Sequence, residues 1–239
     1  MLKVEGVSSG YGNLHILSEV NLIAVPKEVT VIVGPNGSGK STLLKTIAGI
    51  TTIYQGSISI DEKPISHLPP HVIARMGLAY LPQTESVFTQ LTVAENIKMA
   101  GYTVAKEEYD NRLKGVVEMF PQVEKYMKSK VQNLSGGERQ MIAMSMALLR
   151  NPTVIMFDEP TANLSPKLAT QVLKTVETVA KELELTVLLV EQNAKRALEI
   201  GDKAYLLVSG KNAFTGTAQE LLSHTELARI YLGMKPVNA

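Results

Sequence analysis

Gly34-Pro35-Asn36-Gly37-Ser38-Gly39-Lys40-Ser41 fits the pattern G-x-x-x-x-G-K-[ST], and its flanks decide the fold. The β-branched run Glu28 to Val33 precedes it and reads as a buried strand; Lys40 to Ala48 follows and reads as a helix. Between strand and helix, glycines let the backbone wrap closely, so that its N–H groups face phosphate oxygens. The helix start adds about half a positive charge. Lys40 would reach the β- and γ-phosphates of ATP, and the Ser41 hydroxyl, with Thr42 next to it, would face Mg²⁺. A plain glycine-rich turn is the alternative, and the strand before and helix after argue against it.

Further apolar runs extend this unit. Gly77 to Leu81, Val154 to Phe157, Thr186 to Val190 and Ala204 to Val208 read as strands. Gly136 to Leu149 and Ser165 to Leu183 read as helices between them. Such alternation predicts a largely parallel sheet. Residues 2 to 25 and 53 to 60 instead look like antiparallel strands around Gly and Asn turns. Residues 90 to 130 are helix-rich, with Thr92 to Ala100 opening on a Thr92–Glu95 capping box and Lys106 to Phe120 following. The reading is one α/β domain over 1–239: a mostly parallel core, an antiparallel β-subdomain, and a helical subdomain inserted over about 84–150.

Val154 to Glu159 ends in two adjacent carboxylates. Alternation along a strand sends them to opposite faces, so they can do different jobs. Asp158 would hold Mg²⁺, directly or through water, while Glu159 would orient and deprotonate an attacking water. Leu134-Ser135-Gly136-Gly137-Glu138-Arg139-Gln140 then opens a helix with a second glycine motif. A given five-residue string such as LSGGE arises by chance in about one chain of this size in two thousand, so it needs a reason. Ser135, Gly136 and Gly137 at a helix start make a second anion site. The residues alone do not say why one nucleotide needs two.

Phosphate loop, LSGGERQ and hydrophobic-Asp-Glu, in this order, resemble the nucleotide-binding subunits of ABC ATPases over essentially the whole chain. The resemblance implies a P-loop NTPase core of RecA-like type. It also implies ATP and Mg²⁺ as cofactors, with two subunits packed head to tail. Ser135, Gly136 and Gly137 would then act on the partner's γ-phosphate. Tyr11 matches the aromatic that stacks on adenine, and Gln83 matches the glutamine that meets Mg²⁺ and the attacking water. The loop Thr84 to Thr89 matches the segment that meets a membrane partner. Gln192 stands where most members have a histidine near the γ-phosphate, and Ser165 where most have an aspartate. Gln192 can donate a hydrogen bond but cannot become cationic.

The tracts Val190-Glu191-Gln192-Asn193, Leu91 to Ile97 and Ile230-Tyr231-Leu232-Gly233 are similar to the smaller ATPase subunit of Liv-type branched-chain amino-acid importers. Thr84-Glu85 and Met146 depart from that pattern, and amide and urea importers share much of it. The implied partners are a second ATPase subunit, two transmembrane permease subunits and, indirectly, an external solute-binding protein. The implied place is the cytoplasm, peripheral on the inner face of the cell membrane.

Composition agrees with an ordinary globular domain. Lys and Arg (24) nearly balance Asp and Glu (23), which gives no electrostatic case for nucleic acid. There is no cysteine, hence no disulfide and no thiolate metal site. The longest apolar tract, Met141 to Leu149, is about half a membrane span. His15, His67, His71 and His224 show no metal-ligand spacing. A weakly hydrolysing regulatory module is the competing reading, motivated by Gln192 and Ser165 and opposed by Lys40, Asp158 and Glu159. A DNA-repair ATPase would need a long coiled coil between Thr42 and Leu134, and that interval is too short for one.

Overall fold

The computed structural model describes residues 1–84 and 86–232. Glu85, in the loop expected to meet a membrane partner, and Gly233, in the C-terminal tract, therefore lie outside the described residues.

Two sheets organise the chain. The first is antiparallel, in the order β2 (Leu14–Ala24), β1 (Leu2–Tyr11), β4 (Thr52–Ile60), β5 (Lys63–Pro64). The second has six strands, in the order β10 (Lys211–Thr217), β9 (Lys203–Val208), β3 (Val29–Val33), β8 (Thr186–Val190), β7 (Val154–Asp158), β6 (Leu78–Leu81). Strands β9, β3, β8, β7 and β6 run parallel, and β10 pairs antiparallel with β9 at the edge.

The apolar runs form strands because both faces of the central sheet are covered. Val29, Val31 and Val33 point into one core together with Val187 and Leu189. Ile32, Leu188 and Val190 point into the other, against α1 (Lys40–Ile47) and the antiparallel sheet. This two-sided burial explains near-continuous hydrophobic strands where one-sided sheets would alternate. Phe157 is fully buried in this arrangement. Its replacement by alanine costs about 3–5 kcal/mol.

Helix α2 (Pro70–Arg75) precedes β6. Between β6 and β7 lie α3 (Val93–Ala100), α4 (Lys106–Met119), α5 (Gln122–Tyr126) and α6 (Gly136–Leu148). Thr92 caps α3 through the capping box read from sequence: its backbone N–H donates to Glu95, and its hydroxyl accepts from the Glu95 N–H. Helix α7 (Pro166–Glu182) starts with proline at its first position, where no N–H is needed. Helices α8 (Ala194–Ile200), α9 (Ala218–Ser223) and α10 (Thr225–Leu232) complete the chain.

Strand β10 and helices α2, α8, α9 and α10 were not anticipated. The β9–β10 hairpin turns at Ser209 and Gly210, both at positive φ, as a two-residue turn between twisted strands requires. Gly210 also ties this turn to the phosphate loop: its N–H donates to Ser38 O at 3.0 Å, and its carbonyl accepts from Ser18 N at 2.9 Å.

Candidate ATP site

The loop from Gly34 to Ser41 leaves β3 and enters α1. Gly34, Gly37 and Gly39 all have positive φ. At Gly34 a Cβ would stand 2.1 Å from the Leu207 carbonyl oxygen, so a side chain is excluded by contact as well as by conformation. Asn36 and Gly37 form the exposed tip, whereas Ser38, Gly39 and Lys40 are buried. Pro35 accepts the Ser38 N–H at 3.2 Å, which closes the loop. Lys40 Nζ lies over that loop and donates to the carbonyls of Gly34 and Pro35, each at 3.0 Å. Burial lowers its pKa, while the negative charges of Glu159 and Asp158 oppose that shift. The Ser38 hydroxyl is buried without a hydrogen-bond partner among the described residues. An orphaned hydroxyl inside a glycine cradle fits a ligand rich in acceptor oxygens. Thr42 sits in the first turn of α1, its carbonyl accepting from the Thr46 hydroxyl.

The acidic pair arrives from the next strand but one. Ser41 Oγ donates to Asp158 Oδ1 at 2.9 Å, joining residues 117 positions apart. Tyr80, on β6, donates its hydroxyl to the other oxygen, Oδ2, at 3.0 Å. Burial and the Asp158 charge push the Tyr80 pKa well above the ordinary phenol range, so this donor keeps its proton. A hydroxyl and a carboxylate side by side are the hard oxygen donors that Mg²⁺ takes when phosphates complete its shell.

Strand alternation is not what separates the two carboxylates. Strand β7 ends at Asp158, and Glu159 adopts a left-handed conformation at φ 49°. The chain therefore turns between them: Asp158 is buried beside Ser41, while Glu159 accepts from Gln83 Nε2 at 3.0 Å. Gln83, expected at the cation, has its amide nitrogen on Glu159 and not on the Ser41–Asp158 pair. Gln192 is exposed and lines an open polar hollow of about 380 Å³ together with Glu159, Thr161 and Asn163. Tyr11 is 44% exposed, with its ring available for stacking.

The second glycine motif faces elsewhere. Ser135 and Gly137 line a hollow with Leu168, Gln171 and Val172 of α7. Ser135 caps α6: its Oγ accepts from the Glu138 N–H at 3.3 Å, and Glu138 Oε2 accepts from the Ser135 N–H at 2.7 Å. The N–H groups of Gly136 and Gly137, in the first turn, have no intrahelical acceptor. No described hydrogen bond joins residues 135–137 to residues 34–42 of the same copy.

The sequence profile of the ABC transporter family matches residues 17–162. This chain belongs to the ABC transporter family, as an ATP-binding subunit. A probable branched-chain amino acid transport ATP-binding protein, LivF, of Archaeoglobus fulgidus is 50% identical over 98% of this chain and 99% of its own length. BraG of Pseudomonas aeruginosa, a high-affinity branched-chain amino acid transport ATP-binding protein, is 36% identical over 98% and 100%. A nucleotide-free ATP-binding cassette from an ABC transporter superposes with a TM-score of 0.85 at 25% identity, covering 98% of this chain and 99% of that one. A dimeric cassette in a post-hydrolysis state, bound to ADP and phosphate, gives 0.77 at 26% identity over 91% and 99%. The ABC-ATPase reading and the mostly parallel α/β fold expected from the motifs thus hold.

Three features were missed in the sequence. Tyr80 sat inside a strand whose only visible signal was apolarity. The Ser135–Glu138 capping box has the same spacing as Thr92–Glu95 and could have been read the same way. Glu191 was quoted only as part of a family string, although it is buried with 3% exposure.

Proposed function

We propose that the chain is the ATP-hydrolysing subunit of an importer for branched-chain amino acids, acting through ATP-dependent closure of two subunits. The contact between Ser41 and Asp158 carries the hydrolytic part, because it brings the acidic pair to the phosphate loop. Glycine N–H groups and Lys40 would bind the β- and γ-phosphates, and Tyr11 would stack on adenine. Ser41 and Asp158 would hold Mg²⁺, with Gln83 as a further candidate for that role. Bound there, the cation supplies positive charge to the phosphate oxygens. Glu159, oriented by Gln83, accepts a proton from water while that oxygen bonds to the γ-phosphorus. The bond from that phosphorus to the bridging oxygen breaks, releasing ADP and phosphate. Gln192 would donate a hydrogen bond to the γ-phosphate.

Ser135, Gly136 and Gly137 would complete the site of a second ATPase subunit, identical or homologous, since they stand apart from the loop of their own copy. A cleft of about 890 Å³ lined by Gln83, Phe88, Gly136, Arg139 and Asn163 supports docking of a permease subunit on this chain, beside the glutamine that orients Glu159, with a second permease subunit on the second ATPase subunit. Phe88 is 51% exposed there. No helix among the described residues is long and apolar enough to cross a membrane, which fits a subunit held at the inner face by those permeases. The chain would act as one domain over 1–239, with the helical part at about 84–150 carrying the second glycine motif and one side of the cleft. An external solute-binding protein would engage only through the permeases.

Phosphate release from the purified chain, with Glu159→Gln as control, tests hydrolysis. Release at the control's rate would favour the regulatory reading that Gln192 and Ser165 suggest. Vesicles carrying the assembled transporter test the solute: leucine, isoleucine or valine should stimulate hydrolysis. Stimulation by amides or urea alone would overturn that assignment.

A further inference from the structure

Glu191 follows β8 directly and is 3% exposed, yet no described lysine, arginine or histidine pairs with it. One oxygen reaches across to the Thr161 loop, and the other bonds the N–H of the residue that follows in its own loop. Oε1 accepts from the Thr161 N–H at 3.0 Å and from the Thr161 hydroxyl at 2.7 Å. Oε2 accepts from the Gln192 N–H at 3.2 Å. The Thr161 loop is otherwise held by its own turns, with Ala162 N–H on Glu159 O and Leu164 N–H on Thr161 O. The Gln192 loop is held by the Asn193 cap on Arg196 and by Ala194 N–H on Gln192 O. At the base, the Glu159 N–H donates to Val190 O at 2.9 Å. Both loops open onto the same polar hollow as Glu159.

A carboxylate buried without a counter-ion is costly, and its burial beside Glu159 raises its pKa. An apolar side chain would fill this space at less cost. It would not, however, fix one loop against the other. We propose that Glu191 is a positioning residue: one carboxylate clamps Thr161 to the backbone of Gln192, so the two loops move as one body around the γ-phosphate. The proposal rests on the hydrolytic reading above and adds a residue that acts through Thr161 and Gln192. A subunit seated against residues 161–164 would thereby set the position of Gln192, although Gln192 itself makes no contact with that segment among the described hydrogen bonds.

Two neighbouring features do not explain the arrangement. Packing alone does not, because three donors converge on one side chain. Stability alone does not, because both loops already carry their own backbone bonds. The clamp also has a defined weak point. An amide at position 191 keeps the shape and one acceptor for Thr161, but its nitrogen cannot accept from the Gln192 N–H.

The test compares Glu191→Gln, Thr161→Val, Thr161→Ser and the double variant Glu191→Gln/Thr161→Val in the intact chain. Steady-state phosphate release gives kcat and KM, fluorescent-ATP titration gives affinity, and thermal melting reports the fold. Glu191→Gln and Thr161→Val should each lower kcat about tenfold, with ATP affinity and KM within about twofold, as for a misplaced group. Thr161→Ser, which keeps both donors, should retain most of the parental turnover. The double variant should be little worse than either single one, because the two bonds removed belong to one clamp, which fails when either is lost. Parental turnover in Glu191→Gln, multiplicative losses in the double variant, or an equal loss in Thr161→Ser overturns the proposal. So does a fall in ATP affinity and melting temperature that parallels the loss of turnover. Should Glu191→Gln fail to fold, the Thr161→Val and Thr161→Ser pair decides the same question. A parent that releases no phosphate sinks the hydrolytic reading and this proposal together. An active parent with an unaffected Glu191→Gln sinks only the clamp.

Discussion

Gln83 Nε2 donates to Glu159 Oε2 at 3.0 Å, and the register of β6 and β7 explains why they meet. Leu81 pairs with Phe157, so the residues two places beyond each emerge together at the same end of the sheet. A loop that leads toward the large cleft is thereby bonded to the carboxylate that would take the proton from water. Gln83→Ala frees that carboxylate. Turnover should fall about tenfold or more, with KM for ATP within about threefold, since proton transfer and not nucleotide binding loses its support. Phosphate release at varied ATP checks this, and parental kcat would contradict it.

Tyr80→Phe removes one hydrogen-bond donor from buried Asp158. The fold should lose about 1–3 kcal/mol, because the carboxylate oxygen stays buried without a partner. The magnesium concentration for half-maximal hydrolysis should also rise several-fold. The pH dependence has a definite sign. A phenol whose pKa is raised in the folded state contributes stability that is whole below the ordinary tyrosine value of about 10 and is lost as pH rises toward the folded value. Ultraviolet titration of the tyrosines should show the most alkaline ionisation missing from Tyr80→Phe.

How much of this was legible in the sequence depends on how far apart the cooperating residues lie. The loop Gly34 to Ser41, the strands Val154–Asp158 and Thr186–Val190, and the Thr92 cap all depend on neighbours within a few positions, and local pattern reveals them. Tyr80 against Asp158 depends on the pairing of β6 with β7, and Glu191 against Thr161 on where two loops leave the sheet. No spacing rule encodes either contact. Strand β10 was missed because it is a half-exposed edge with little apolar signal, although Ser209-Gly210 marks its turn. The separation of Asp158 from Glu159 was expected from the pleat, but a left-handed residue turns Glu159 away instead.

Gly34→Ala tests the contact that shapes the loop. Its φ of +150° and the 2.1 Å approach to the Leu207 carbonyl oxygen leave no place for a methyl group. The variant should lose about 1–3 kcal/mol of stability and bind ATP at least about tenfold more weakly, because strain falls on the phosphate cradle. Denaturant unfolding and nucleotide titration measure both, and an unchanged affinity would contradict the geometry.

A glutamine at position 192 predicts one feature of the pH profile of hydrolysis. Glutamine does not titrate, so the parent should show no imidazole-like limb between about pH 6 and 7 from this position. Gln192→His should introduce one near pH 6.5, roughly the ordinary histidine value, while remaining active. Steady-state rates across pH compare the two. An inactive parent beside an active Gln192→His would mean that the glutamine disables the site.

In the proposed function, two helix starts that share no hydrogen bond within one copy bind one nucleotide only if a second subunit supplies the other. Light scattering of Glu159→Gln with and without Mg·ATP measures that requirement most directly, with Glu159→Gln/Ser135→Arg alongside. The mass should double with Mg·ATP, alone or with the companion ATPase subunit coexpressed, and Ser135→Arg should abolish the doubling without abolishing ATP binding. A particle that stays single in both settings, or a dimer indifferent to Ser135→Arg, would contradict the account.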